Sequence, residues 1–176
     1  VSAHFGADIA LVSVNHADYN GVEQLSHGER APFIISGPGD YEVKETFIKG
    51  LMSNETIGDK KFINTIYTLS VDGIDIVFLG ALGDGELSKE VREEIDGPDI
   101  LFVPVGGKGM LDAKEAAKLA SSLEPKMIIP MDYDDSTLKA FLKEIREKAK
   151  GVDKLTLKRK DLEGKEGEVV VFSAQG

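Results

Sequence analysis

From Ile74 onward, short apolar runs alternate with stretches of helical spacing, and this constrains the fold more than any other feature of the chain. Ile74 to Leu79, Asp99 to Val105 and Lys126 to Met131 have the length and character of buried strands. Between the first two, Leu87, Val91 and Ile95 recur at helical spacing. Asp112, with Glu115 three residues on, forms a capping box for a helix that must end before Pro125. Leu138, Phe141, Leu142 and Ile145 share one face of another helix, expected to be capped by Asp135 and to end at Gly151. Leu155 to Leu157 and Val169 to Phe172 are expected to close the chain as strands.

The first half is β-rich and meander-like. Asp8 to Val14, Phe33 to Ser36, Tyr41 to Val43 and Thr46 to Met52 read as strands, and Ser53 to Lys61 reads as a polar loop. The alternation from Thr65 to Val71 runs into Asp72-Gly73, the strongest hairpin signal in the chain. No internal repeat or linker interrupts the 176 residues, so one compact α/β domain over residues 1–176 is expected.

Composition narrows the function. With 31 acidic against 21 basic residues, the formal charge is −10, which opposes a non-specific grip on nucleic acid or anionic lipid. No apolar run approaches the ~20 residues of a membrane-spanning helix. Zero cysteines exclude disulfides, a thiolate nucleophile and cysteine-ligated zinc, and fit the cytoplasm. Residue 1 is Val, so the sequence opens like the interior of a longer chain.

Few residues can carry chemistry. The histidines are His4, His16 and His27. His16 and Asp18 lie two apart in a loop after an apolar strand, where metal ligands and plain hydrogen-bonded loop residues are both common. Gly106-Gly107-Lys108-Gly109 follows a strand and precedes a helix. That placement suits an anion or a tight turn, but the P-loop pattern fails because Met110 follows Gly109. Asp132, Asp134 and Asp135 gather after a strand; Asp135 can be a cap, whereas Asp132 has no such role. Gly-x-Ser-x-Gly is absent, so no serine-nucleophile elbow is present.

The order of blocks resembles the metallo-β-lactamase superfamily, in the branch of small Zn-dependent hydrolases that includes the ascorbate-phosphate lactonase. The likeness lies in Ala7–Ser13 leading into His16 and Asp18, in Gly37-Pro38-Gly39-Asp40-Tyr41-Glu42-Val43, and in Asn64-Thr65-Ile66-Tyr67. It continues through Phe78–Gly83, Val103–Gly107, Asp112–Ala117 and Pro125–Met131. The resemblance implies an αββα sandwich with its active site at one edge between two sheets.

It also implies a metal loop of the form His-x-His-x-Asp-His with later His and Asp ligands. In this chain Val14 and Tyr19 stand at the first and last loop histidines, Phe78 and Ala81 at later ligands, Asn54-Glu55 at a His-Asp pair, and Asp132 at the final histidine. His16 and Asp18 survive, with Asp132 as a recruit. Members usually open with a strand hairpin inside the first sheet, and none precedes Ala7. The missing strands are expected from a cleaved segment, a second copy or a rearranged sheet, since bare strand edges are a liability.

The expectation is a non-catalytic binding or assembly protein, either a homo-oligomer or one whose exposed sheet edges a protein partner covers. The alternative is a hydrolase of phosphoesters or lactones with a reduced mononuclear Zn or Mn site at His16, Asp18 and Asp132. A third route keeps a small anionic ligand at Gly106, Gly107 and Lys108 without chemistry.

Overall fold

The computed structural model describes residues 6–17, 19–25, 31–57 and 60–173. Strands β1 (Ile9–Leu11) and β2 (Phe33–Ile35) pair in parallel as a small sheet of their own. Then β3 (Gly39–Val43), β4 (Thr46–Ile57), β5 (Lys60–Val71) and β6 (Ile74–Phe78) form an antiparallel meander. Asp72 and Gly73 both take positive φ, 52° and 72°, the backbone that a two-residue hairpin turn demands. The hairpin expected from the sequence is present.

Beyond β6 the large sheet grows by parallel pairing. It adds β7 (Ile100–Pro104), β8 (Met127–Met131), β9 (Lys150–Val152) and β10 (Glu168–Phe172), in spatial order β3-β4-β5-β6-β7-β8-β10-β9. Helices α1 (Lys89–Glu94), α2 (Ala113–Ser122) and α3 (Asp135–Ile145) supply the crossovers that parallel neighbours need.

The strand period sorts the core into layers. In β7, Leu101 and Val103 join Ala116, Ala117, Leu119 and Ala120 of α2 and Phe141 of α3 in one cluster. Ile100 and Phe102, on the opposite face, meet Leu155, Leu157 and Leu162 from the segment ahead of β10. Further along that second face, Tyr67 and Ile48 pack with Ile35, Ile9 and Leu11 of the small sheet. Burying a side chain as completely as Phe141 contributes about 2 kcal/mol.

The architecture is the expected α/β one: helices on one face of a large sheet, a smaller sheet on the other. Among the described residues that smaller sheet has two strands, and Phe33 and Ile34 of β2 are exposed.

Four local expectations are corrected. The polar stretch from Ser53 is not a loop up to Lys61, because β4 continues to Ile57 and pairs with β5 from Lys60; ladder hydrogen bonds extend strands without needing apolar side chains. The third helix stops at Ile145, where Arg146 turns left-handed, and Gly151 belongs to β9. Its cap is Asp134 rather than Asp135, since the Asp134 carboxylate accepts from the Ser136 and Thr137 amides. Leu155 to Leu157 is not a strand; these leucines cover the sheet from an irregular segment.

Candidate functional site

Because β6, β7 and β8 run parallel, their C-terminal ends and the loops after them reach the same edge of the large sheet. The chain leaving β1 arrives there too. Val14 bridges antiparallel to Asn64 of β5, and the Thr65 amide donates to the Ser13 carbonyl at 2.8 Å. The loop carrying His16 is thereby held against the start of β5.

Asn64 organises this edge. Fully buried, it donates from Nδ2 to Ser53 Oγ (2.8 Å) and to the Leu79 carbonyl (3.0 Å), while Oδ1 accepts the Ala81 amide (3.0 Å). One carboxamide thus ties β4, the end of β6 and the loop after it. Gly80 follows from the same crowding. Its φ is +65°, and a Cβ there would lie 2.5 Å from both Asn64 Oδ1 and Ser13 Cβ. Tyr67 does a parallel task nearer β2: its hydroxyl donates towards the Val12 and Ile35 carbonyls (2.9 and 3.2 Å) and accepts the Gly37 amide. Burial raises its pKa above the ordinary phenol value.

His16 sits in a turn closed by the Tyr19 and Asn20 amides, which both donate to its carbonyl. Its ring meets Phe62 edge-on with centroids 5.3 Å apart, and Tyr19 at 6.1 Å. The Tyr19 hydroxyl in turn reaches Met110 Sδ at 3.8 Å, joining this loop to the segment after β7. There Gly106 is forced to be glycine, because a Cβ would lie 1.9 Å from the Asp132 carbonyl oxygen and 3.3 Å from Met110 Cε. A continuous line of contacts therefore runs from His16 through Tyr19, Met110 and Gly106 to Asp132.

Asp132 has left-handed backbone (φ 53°), and desolvation by the surrounding protein raises its carboxyl pKa above the usual carboxylate value. Asp18, His4 and His27 lie outside the described residues. Gly107 and Lys108 also have positive φ. The Gly107 amide donates to the Leu111 carbonyl, and the α2 amides of Lys114 and Glu115 donate to Asp112. These three donors are engaged within the protein, and the exposed Lys108 side chain carries the positive charge of this turn.

The positions that the resemblance gives to metal ligands hold different chemistry. Val14 and Ala81 are 0% and 1% exposed, and neither side chain has a lone pair to donate. Phe78 packs near Phe102 and against the small-sheet cluster, and its ring has no lone pair to donate either. Among the described residues no three His, Cys, Asp or Glu side chains come together as a metal cluster. A protein zinc site takes three or four such donors, so the described residues do not by themselves fit a catalytic metal.

Sequence reasoning alone gave Asn64, Phe62 and Met110 no role at this edge. Only Asn64 carried a local signal, a lone carboxamide inside a β-prone run.

Comparison with known proteins agrees with the architecture. The profile of the β-lactamase superfamily domain matches residues 2–132. A UPF0173 metal-dependent hydrolase of Staphylothermus marinus is 39% identical over 69 residues, 38% of this chain and 30% of that protein. A second, from Listeria innocua, is 27% identical over 109 residues, 59% of this chain and 47% of the relative. The chain thus spans less than half the length of these relatives. Among solved structures, a metallo-β-lactamase superfamily protein of Thermotoga maritima assigned as a Zn-dependent hydrolase is 32% identical. It superposes with a TM-score of 0.74, over 98% of this chain and 85% of its own. A protein of Parabacteroides distasonis (TM-score 0.65, 15% identity, 94% of this chain and 76% of its own) shares the fold. The profile match over residues 2–132, together with the 32% identity to the Thermotoga maritima protein across 98% of this chain, shows that the chain belongs to the β-lactamase superfamily.

Proposed function

We propose that this chain is a binding or assembly protein built on a hydrolase fold, without catalysis of its own. The observation that carries the proposal is the pair of buried apolar side chains, Val14 and Ala81, at two expected ligand positions, with the Asn64 carboxamide bonded to protein beside them. When bound, a metal in such a fold lowers the pKa of a water and polarises the scissile group. It needs lone pairs that valine and alanine lack.

A second reading has support of its own. The relatives named above carry the words metal-dependent hydrolase, and the His16 and Asp132 segments share one rim. If Asp18, which lies outside the described residues, joined them, the His/Asp/Asp set would be hard and oxygen-rich and would hold one Zn or Mn for hydrolysis of a phosphoester or lactone.

Metal analysis of freshly purified protein, with hydrolysis assays on a nitrophenyl phosphodiester and a simple lactone in added zinc or manganese, separates the two. The proposal expects substoichiometric metal and no turnover. One ion per chain that disappears in His16→Ala or Asp132→Ala, together with turnover, establishes the hydrolase instead. For assembly, the exposed Phe33 and Ile34 of β2 offer a surface for a second copy or a protein partner. Light scattering that finds a strict monomer, with no partner recovered, counts against that part.

A further inference from the structure

Helices cover the large sheet unevenly. Over β7 and β8 the helix-side face is sealed by α2 and α3, but over β3, β4 and β5 it is left open beyond the end of α1. The result is a groove of about 460 Å³. Strand register identifies its floor and walls. Lys49 stands opposite both Asp40 and Thr68, and Phe47 stands opposite Glu42, so these side chains share the open face. Asp75 and Val77 extend it on β6, and Glu94, Asp96 and Pro98 form the far wall.

Two properties of the groove point to one kind of occupant. Phe47 is 69% exposed, the most exposed of the large apolar side chains in the described residues, so an aromatic anchor stands unburied at the rim. Around it the charge is one-sided: Asp40, Asp75, Glu94 and Asp96 line the groove against a single cation, Lys49, which is already paired with Glu94 at 2.8 Å. The chain as a whole carries −10, so a second copy would bring like charge to an acidic wall.

We infer that this groove is a docking surface for a basic, partly apolar peptide segment of a partner protein, with an apolar residue on Phe47 and Lys or Arg side chains facing Asp40 and Asp96. The shape and the charge are complementary to that chemistry, and desolvated aromatics are the usual anchors of such contacts. The surface lies on the sheet face beside α1 and involves none of His16, Asp18 or Asp132, so it stands whether or not the chain holds a metal.

The test is titration of the intact protein, by amide NMR shifts, with a synthetic nonapeptide of alternating Lys and Leu, set against a Glu/Leu peptide and spermidine. Shifts confined to Phe47, Thr68, Ser70 and Asp96, at least a fivefold loss of affinity in Asp40→Asn/Asp96→Asn and in Phe47→Ser, and weakening by salt are expected. The double variant Asp153→Asn/Glu163→Gln removes the same charge elsewhere and should bind as the parent does. All four substituted acids and Phe47 are exposed, so folding is retained, as thermal melting will verify. Shifts spread over the whole surface, equal losses in the control variant, equal binding of spermidine, or burial of Phe47 in a dimer would each overturn the inference.

Discussion

At the scale of single residues, two positions hold the candidate site together. Asn64 is buried, and its carboxamide makes three hydrogen bonds, to Ser53 on β4 and to Leu79 and Ala81 just after β6. Truncation to alanine loses them and strands the Ala81 amide and Leu79 carbonyl, which at about 1 kcal/mol each costs about 3 kcal/mol. Ser53→Ala removes one of the three and also the bond that its hydroxyl donates to the Asn64 carbonyl, and should cost about 2 kcal/mol; urea denaturation of both variants measures the difference. Gly106→Ala places a methyl 1.9 Å from the Asp132 carbonyl, where backbone on both sides resists movement. We expect about 3 kcal/mol of destabilisation, the upper end for overpacking, and a displaced Asp132. Retention of parental stability in Gly106→Ala would mean that the two loops part easily. The apolar types of Val14 and Ala81, at positions that the resemblance gives to ligands, were legible in the sequence, because comparing residue types against a motif requires no geometry. The Asn64 clasp was not, since its partners are 11, 15 and 17 residues away and nothing local selects them.

At the scale of elements, local rules worked where the interaction is local. The capping box of α2 was foreseen, and it forms: the Asp112 carboxylate accepts the Lys114 and Glu115 amides, and Glu115 reaches back to the Asp112 amide at 3.0 Å. Asp112→Ala should cost about 1 kcal/mol by chemical denaturation. For α3 the motif pointed one residue too far. Three aspartates in four positions give capping no unique register, and the left-handed turn at Asp132 sets where the helix begins. Asp134 accepts hydrogen bonds from Ser136 and Thr137, which hold its carboxyl at about 2. Since its folded pKa is depressed, the support it gives α3 is full above about 3.8 and lost as pH falls towards about 2. Asp134→Asn should flatten that part of an acid titration followed by circular dichroism. The polar ends of β4 and β5 were missed because a ladder depends on the partner strand, and periodicity within one segment cannot reveal it.

At the scale of the whole molecule, one buried acid joins the ends of three strands opposite the candidate site. Asp99 accepts the Asp75 amide at 2.9 Å and the Lys126 ammonium at 2.6 Å, linking the starts of β6, β7 and β8. Burial alone would raise its pKa, but the Lys126 and Asp75 hydrogen bonds and the charges of Lys126 and Arg159 outweigh it, and the net shift is downward. Its stabilisation is therefore complete above the ordinary value of 3.8 and disappears as pH drops through the lowered folded value. Asp99→Asn should cost about 2 kcal/mol at neutral pH, the scale of a hydrogen bond to a charged group, and little in strong acid; thermal melting against pH measures both. The sequence by itself determined the α/β class, the hairpin at Asp72-Gly73, the α2 cap and the apolar residue types at Val14 and Ala81, where the resemblance expects ligands, because each depends on neighbours along the chain or on residue type alone. Tertiary structure decided the rest: that the His16 loop and Asp132 share one rim, that Asn64 closes it, and that β3 to β5 keep an open acidic face. Those features arise where strands far apart in sequence are brought together, and no local pattern encodes which distant groups will meet.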